Sequence, residues 1–368
     1  MQNLVSASPR LELRKLKRRF DRRDVVKDVS LSIVPGQVTC LLGPSGCGKS
    51  TTLRLIAGVD RQDKGEIYID GTLISGPSMH TPPENRSVGF MFQDFALFPH
   101  LRVWQNVAFP IQGPKHEKRK KAEELLDRVG LLAMMDKYPH ALSGGEQQRV
   151  ALVRALALKP KIMLMDEPFS GLDNRLRDGI RDDTLDILKA ENTAVLLVTH
   201  EPEEAMRMAD EIALMRDGAI VQKGAPYNVY NAPVDRETMA FFSDVNVIQS
   251  RVSGSLADTA FGQFFAPGHA DGTQVDIAFR PQHVRIDFDR NGKGPNPTPS
   301  QGVAASGNVI RSRFMGSDSL VEFRMDHDGS TLKATVPYVF LPQPGRRLWL
   351  TVPRDRCYIF AVKVKSQR

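Results

Sequence analysis

The segment from Gly43 to Ser50 carries the residue types and the spacing that phosphate binding requires. It reads G-P-S-G-C-G-K-S and fits the pattern G-x-x-x-x-G-K-[S/T]. Its glycines allow backbone N–H groups to surround phosphate oxygens, Lys49 is suited to neutralise the β- and γ-phosphates, and Ser50 is suited to bind Mg²⁺. The predicted nucleotide-binding residues here are Gly43, Pro44, Ser45, Gly46, Cys47, Gly48, Lys49, Ser50 and Thr51.

The neighbouring sequence favours a nucleotide loop over a purely structural glycine-rich turn. An apolar run, Val38–Leu42, predicts a buried strand before the loop, and the residues after it have the composition of a helix. A helix beginning at the loop would add its positive N-terminal end to the phosphate site. Kinases, GTPases, helicases and motors all use such a loop, so the loop alone does not identify the enzyme.

A second apolar run, Ile162–Met165, is followed directly by Asp166 and Glu167. Ligands of open α/β sheets lie at the carboxyl ends of strands, which would place Asp166 to bind Mg²⁺ and Glu167 to orient or deprotonate a water molecule. A solvated turn is the alternative, and the upstream phosphate loop argues against it. His200 follows a third apolar run, Ala194–Thr199, in the same way. It is either a structural histidine or, as we favour, a residue that contacts the γ-phosphate and the water.

The sequence L-S-G-G-E-Q-Q-R, residues 142–149, precedes a helical pattern. Ser143 is a good N-cap and Glu146 would complete a capping box, so the segment can be read as a well-capped helix start. Two successive glycines in a first turn nevertheless cost ~1 kcal/mol each. An anion approaching their exposed N–H groups would explain why they are there.

This segment resembles the L-S-G-G-Q signature of ABC ATPases, with Glu146 at the position where glutamine is commoner. The resemblance spans about residues 11–240 and implies further nucleotide contacts from Phe20, Gln93 and Asp173, in addition to Ser143, Gly144, Gly145 and Glu146. By itself Phe20 would be read as a core residue. The resemblance also implies that Gln93 binds Mg²⁺ with Ser50 and Asp166, and that Lys49, Glu167 and His200 carry the hydrolysis.

The resemblance implies an assembly as well as a site. ATP-binding subunits of this type form head-to-tail dimers in which a second copy of the chain supplies residues 143–145 to the ATP held by the first. The sequence around Gln93 is similar to importer ATPases for ferric iron, polyamines, sulfate or sugars, with iron and polyamines closest. Membrane permease subunits and, indirectly, a solute-binding protein are then expected partners. Phe95, Leu97 and Phe98 are read either as core residues or as a docking patch for a permease helix.

The hydrophobic pattern predicts two domains. Residues 1–242 alternate short apolar strands with helices, which favours an α/β fold with a mostly parallel sheet; the resemblance makes this a P-loop core of ABC type with a helical subdomain at about 94–160. Residues 243–368 change to period-two patterning, as in Val321–Met325, and predict a small all-β domain. Its layout is similar to the oligomer-binding-type barrel of importer subunits. A flexible loop is predicted at Asp289–Gly302.

Composition excludes several classes of function. The chain of 368 residues has three cysteines without metal-ligand spacing and no run of about 20 apolar residues that would span a membrane. Its net charge of +7 comes without a nucleic-acid motif, and no N-K-x-D sequence indicates a GTPase. With an N-terminus unlike a secretory signal, the expected location is the cytoplasmic face of the cell membrane. A soluble ABC ATPase of DNA repair or translation is the alternative.

Overall fold

The computed structural model describes residues 8–170, 174–288, 293–300 and 302–362, with the side chains of 174–177 excepted. The chain divides into two compact units, Met1–Ala232 and Pro233–Arg368. Among the residues described, no helix is both long enough and apolar enough to cross a membrane. Asp173 and part of the predicted loop at Asp289–Gly302 lie outside the described residues.

The first unit combines strands and helices in the predicted alternation. In chain order its strands are β1 (Leu11–Phe20), β2 (Arg23–Ile33), β3 (Val38–Leu42), β4 (Lys64–Ile69), β5 (Thr72–Ser75), β6 (Val88–Met91), β7 (Ile162–Asp166), β8 (Ala194–Thr199), β9 (Glu211–Arg216) and β10 (Ala219–Gly224). Its helices are α1 (Lys49–Ala57), α2 (Val103–Ala108), α3 (Lys115–Arg128), α4 (Gly144–Leu156), α5 (Asn174–Ala190), α6 (Pro202–Met208) and α7 (Pro226–Asn231).

A mostly parallel sheet forms the centre of this unit. Its strand order is β10-β9-β3-β8-β7-β6, and all neighbours are parallel except the β9–β10 hairpin. Strands β3 and β8 are buried along their whole length, as expected for strands covered on both faces. A second, antiparallel sheet with the order β2-β1-β4-β5 shares an apolar core with α1.

Helices α2, α3 and α4 pack on one another around a separate apolar core. Val103, Val107, Leu126 and Val150 are among its fully buried residues. The helical spacing of Ala122 and Leu126 places both in this core, while the charged residues of α3 lie on its outer face.

The second unit is antiparallel β structure preceded by α8 (Arg236–Phe242). Its strands are β11 (Asn246–Ser253), β12 (Leu256–Thr259), β13 (Gly262–Phe265), β14 (Gln274–Phe279), β15 (Arg285–Phe288), β16 (Ala305–Phe314), β17 (Asp318–Met325), β18 (Thr331–Pro337), β19 (Arg347–Thr351) and β20 (Cys357–Ala361). The described strands form sheets with the orders β13-β12-β11-β14-β20 and β15-β19-β16-β17-β18.

Period-two patterning in this unit separates core from surface as predicted. Val321, Phe323 and Met325 of β17 enter the apolar core, whereas Glu322 pairs with Arg311 of the neighbouring strand. The second compact unit begins at Pro233 and so includes α8, whose Arg236 forms an ion pair with Asp276 of β14 at 2.7 Å; the predicted boundary was 242/243.

Candidate nucleotide and hydrolysis site

The parallel sheet brings four segments that are distant in sequence to one edge. The phosphate loop follows β3, Gln93 follows β6, Asp166 ends β7 with Glu167 directly after it, and His200 follows β8. Strands β3, β8, β7 and β6 are consecutive neighbours and run parallel, so their carboxyl ends lie side by side. This edge is where open α/β sheets bind ligands.

The phosphate loop has a backbone that only glycine allows at two positions. Gly46 and Gly48 have φ values of 78° and 107°, in the region that side chains with a Cβ rarely adopt. A Cβ on Gly48 would also lie 2.5 Å from the carbonyl oxygen of Val25. Gly48 is the N-cap of α1, so the loop leads directly into the positive end of that helix.

Lys49 is buried in this loop and already contacts its backbone. Its Nζ donates hydrogen bonds to the carbonyl oxygens of Gly43, at 2.7 Å, and Pro44, at 3.0 Å. These bonds hold the ammonium group within the loop. A phosphate oxygen is a stronger acceptor for this group than a carbonyl oxygen, because both partners of that hydrogen bond are charged.

Ser50 and Asp166 place two oxygen donors together. The Ser50 Oγ donates a hydrogen bond to Oδ1 of Asp166 at 3.0 Å. Burial raises the pKa of Asp166, and the hydrogen bond from Ser50 acts in the opposite direction. A half-buried carboxylate next to a hydroxyl is the kind of oxygen donor set that suits Mg²⁺, whose remaining ligands are usually water and phosphate oxygens.

Glu167 contacts two other residues that the sequence predicts for the site. Its Oε1 is 2.9 Å from Nδ1 of His200, and the Nε2 of Gln93 donates to its Oε2 at 3.4 Å. The backbone N–H of Glu167 donates to the carbonyl of Val198 at 2.9 Å. Glu167 adopts a φ of 45°, a conformation that costs about 1–2 kcal/mol for a residue with a Cβ and that recurs at functional sites.

The signature segment (Ser143–Gly145) begins α4 with the predicted capping box. Oε2 of Glu146 accepts hydrogen bonds from the N–H and the hydroxyl of Ser143, both at 2.7 Å, and the Ser143 hydroxyl accepts from the Glu146 N–H at 3.4 Å. The hydrogen bond from Ser143 lowers the pKa of Glu146. Ser143 and Gly144 are exposed, whereas Gly145 is buried.

The two glycines of the signature segment therefore have different surroundings. A Cβ on Gly145 would lie 2.5 Å from Cδ1 of Ile180 in α5. Close packing on α5 is thus one reason for a glycine at this position, in addition to the anion approach that the sequence suggests. This contact could not be predicted from the sequence motif, because Ile180 belongs to a different helix, 35 residues after Gly145 in the chain.

Phe20 is more exposed than a core residue would be. It ends β1 with 40% of its surface accessible, and the guanidinium carbon of Arg18 lies 4.5 Å from its ring centroid. A cleft of about 370 Å³ lies along the phosphate loop and is lined by Pro44–Cys47, by Arg22 of the β1–β2 turn, by the start of β2 and by Asp217 and Gly218. The structure places Phe20 just before that turn.

Two arginines that the motifs did not indicate support the site. Arg86, which is buried, donates from Nη1 to the carbonyl oxygens of Leu55, at 2.8 Å, and Ile56, at 2.6 Å, and so closes the C-terminal end of α1. Burial lowers the pKa of Arg86 to about 10. The sequence around Arg86 is the same as expected for an exposed arginine, so its burial could not be predicted.

Arg154 of α4 supports the loop that follows Gln93. It donates to the carbonyl oxygens of Phe95 and Ala96 at 2.8 and 2.7 Å. Both residues have positive φ values, 59° and 45°, so the arginine holds a turn that is unfavourable for side chains with a Cβ. The helix that starts with the signature segment is thereby fixed to the loop that carries Gln93.

An open apolar groove of about 830 Å³ adjoins this loop. Phe92 and Phe109 line it with much of their surfaces exposed, and Phe98 stacks on Phe109 with the ring centroids 4.5 Å apart. Leu97, by contrast, packs against the core of the helices. The two readings of this stretch are therefore divided between its residues, with Leu97 in the core and Phe98 at the groove, while Phe95 is partly buried in the turn that Arg154 holds.

Comparison with known proteins gives two family matches. Residues 26–170 match the ABC transporter family and residues 272–360 match the TOBE domain. The Fe(3+) ions import ATP-binding protein FbpC 2 of Pectobacterium atrosepticum is 39% identical over 277 residues, covering 75% of this chain and 80% of that protein. The putrescine transport ATP-binding protein PotG of Escherichia coli is 36% identical, covering 96% of each chain.

A solved structure is similar to the first unit in both fold and sequence. It is the dimeric ATP-binding cassette MJ0796 in a post-hydrolysis state, bound to ADP and Pi. The TM-score is 0.52 with 31% identity, and the match covers 59% of this chain and 98% of that one. The predicted family and the predicted fold class are thereby confirmed.

Proposed function

This chain belongs to the ABC transporter family of ATP-binding proteins, and we propose that it hydrolyses ATP to drive the import of a solute through a membrane permease. The observation that carries the proposal is the meeting of the phosphate loop, Asp166, Glu167 and His200 at one edge of the parallel sheet. The relatives named above import iron(III) or transport putrescine, so we propose iron(III) or a polyamine as the cargo.

ATP binds with its phosphates in the loop Gly43–Thr51. The backbone N–H groups and the N-terminal end of α1 surround the phosphate oxygens, and Lys49 exchanges its carbonyl partners for the β- and γ-phosphates. Ser50 and Asp166, with Gln93, would hold Mg²⁺, which when bound neutralises charge on the phosphates. The aromatic ring of Phe20 is proposed to stack on the adenine.

Hydrolysis follows from the geometry around Glu167. The carboxylate orients a water molecule and accepts its proton as the water oxygen bonds to the γ-phosphorus and the bond to the bridging oxygen breaks. His200, hydrogen-bonded to Oε1, leaves Oε2 directed to the side of Gln93 and keeps the carboxylate in place. ADP and inorganic phosphate are released.

A second copy of the chain completes the site. The exposed residues Ser143 and Gly144, at the positive end of α4, are suited to bind the γ-phosphate held by the other copy. The family resemblance adds Glu146 and Asp173 to this contact. The similar cassette named above is dimeric, which supports this arrangement. Closure of the dimer then depends on the γ-phosphate, and hydrolysis releases it.

The apolar groove beside Gln93 is the proposed docking site for the permease. Phe92, Phe98 and Phe109 would cover an apolar helix face of a membrane subunit, and a patch of this kind is a usual mark of an interaction site. Through the permease the chain would be held at the cytoplasmic face of the membrane, and a solute-binding protein would act through the same permease.

The test is to purify the full chain from membranes with its permease, to reconstitute the complex in vesicles and to measure ATP hydrolysis and uptake of radioactive iron(III) or putrescine. We expect uptake that depends on ATP and stops in Glu167→Gln, with Leu132→Gln as a control on the exposed surface. Hydrolysis without uptake of either solute refutes the cargo. Copurification with ribosomes or DNA in place of a permease refutes the transport function.

A further inference from the structure

Two neighbouring residues of α5, Ile180 and Arg181, contact the surroundings of three motifs. Ile180 packs on Gly145 of the signature segment. The guanidinium carbon of Arg181 lies 5.7 Å from the ring centroid of Phe169, which is two residues beyond Glu167. Arg181 also reaches the carboxylates of Glu201 and Glu204, which follow His200.

The backbone on both sides of His200 is fixed by the hydroxyl of Thr199. Thr199 is buried, and its Oγ1 donates a hydrogen bond to Oε2 of Glu204. The same oxygen accepts a hydrogen bond from the N–H of Glu201 at 3.0 Å. His200 lies between Thr199 and Glu201, so these two hydrogen bonds fix the backbone position from which the imidazole side chain extends.

Arg181 provides the positive charge that this arrangement needs. Its Nη2 is 3.6 Å from both Oε1 of Glu204 and Oε2 of Glu201. The side chains of Arg181 and Glu204 are only 8% and 4% exposed. A carboxylate buried to this degree is strongly unfavourable without a cation, so Arg181 allows Glu204 to accept the hydrogen bond of Thr199.

The other face of the guanidinium supports the Glu167 loop. Phe169 is buried beneath it, and the loop is closed by the Ser170 hydroxyl, which donates to the Glu167 carbonyl at 3.0 Å. Arg181 therefore touches the segment after Glu167 and the segment after His200. The Glu167 and His200 side chains themselves are in contact, with Oε1 of Glu167 2.9 Å from Nδ1 of His200.

We infer that Arg181 is a positioning residue for ATP hydrolysis, which acts by fixing the His200 ring relative to the Glu167 carboxylate. The inference rests on the proposed ATPase function. The neighbouring Ile180 joins the same helical turn to the signature segment, so Arg181 connects the hydrolytic pair to the part of the chain that a second copy's nucleotide would contact.

The experiment measures single-turnover hydrolysis and equilibrium ATP binding in the reconstituted permease complex, assembled with the full-length chain. Arg181→Met is expected to lower the hydrolysis rate about tenfold or more while ATP affinity changes less than about threefold, because it disturbs orientation and leaves the phosphate loop intact. Arg181→Lys keeps the charge without the planar fork and is expected to recover part of the rate. Arg207→Met is the matched control, since Arg207 also links α6 to α5 through Asp178 but is 43% exposed.

A double-mutant cycle with His200→Ala separates positioning from a general loss of stability. If Arg181 acts through His200, Arg181→Met slows the His200→Ala variant by less than about twofold. Thr199→Val removes the linking hydroxyl at nearly constant volume and serves as a second test should Arg181→Met fold poorly. It is expected to show the same non-additive loss.

Several outcomes overturn the inference. The first is an equal hydrolysis rate for wild type and Arg181→Met. The second is that Arg181→Met and Thr199→Val each slow the His200→Ala variant as much as they slow the wild type. The third is a wild-type hydrolysis rate in His200→Ala itself. A permease complex that contains the wild-type chain, binds ATP and does not hydrolyse it would instead refute the proposed function. The two failures are thus distinguished by the wild-type measurement.

Discussion

The packing of Gly145 on Ile180 leads to a prediction that separates two reasons for a glycine in the signature segment. In Gly145→Ala the new Cβ would lie 2.5 Å from Cδ1 of Ile180, whereas carbon atoms pack at about 3.5–4.0 Å. The side chain must therefore move by about 1 Å or more. Ile180 is buried, so it has little room to do so.

The expected magnitude is the difference between two opposing effects. Overpacking of a buried contact typically costs about 1–3 kcal/mol. Alanine in a helix is favoured over glycine by about 1 kcal/mol, which offsets part of that cost. We expect Gly145→Ala to lower the free energy of unfolding by about 0–2 kcal/mol, measured by urea denaturation.

Ile180→Val tests whether the contact is responsible, since it removes the methyl group that the new Cβ would meet. Alone it should cost about 0.5–1.5 kcal/mol, and in combination with Gly145→Ala the losses should be less than additive by about 1 kcal/mol. Strict additivity would refute the packing argument. ATP hydrolysis that stays low in the stable double variant would show that the glycine also serves the phosphate.

Three further predictions concern the charged residues of the site. Glu167→Gln should keep ATP binding and lower the hydrolysis rate about 10²–10⁴-fold because the amide accepts no proton; normal turnover would remove Glu167 from this role. Lys49→Ala should raise the dissociation constant for ATP at least about tenfold, and an unchanged value in a titration would contradict the phosphate contact. The pKa of Glu146 is lowered in the folded chain, so its contribution to stability should be present above its unfolded pKa and be lost as pH falls through the folded value. Denaturation midpoints of Glu146→Gln should therefore depend less on pH in this acidic range than those of the wild type.

The sequence was sufficient to predict the parts of the site that depend on local pattern. The apolar runs before Gly43, Asp166 and His200 predicted buried strands, and the rule that ligands bind at strand ends placed these residues together. The capping box of Ser143 and Glu146 was confirmed for the same reason, since it depends on a spacing of three residues.

Contacts between distant elements could not be predicted in this way. Arg86, Arg154 and Arg181 read as ordinary charged surface residues, yet each is held by carbonyl or carboxylate groups from elsewhere in the chain. The neighbours of Ile180 depend on how α5 packs against α4, which hydrophobic periodicity does not specify. The pairing of Arg236 in α8 with Asp276 in β14 is likewise a contact that local pattern does not specify.

The position of β3 within the parallel sheet has a consequence for biosynthesis. Its two neighbours, β8 and β9, emerge from the ribosome about 150 and about 170 residues after it, and non-local pairing of this kind is slow and exposes apolar surface. Strand β3 (Val38–Leu42) therefore has neither of its neighbouring strands to pair with while the segment that contains α2, α3 and α4 is translated. Nascent chains that end before Asp217 also lack two residues that line the cleft along the phosphate loop, so we expect nucleotide affinity to rise only once the central sheet is complete.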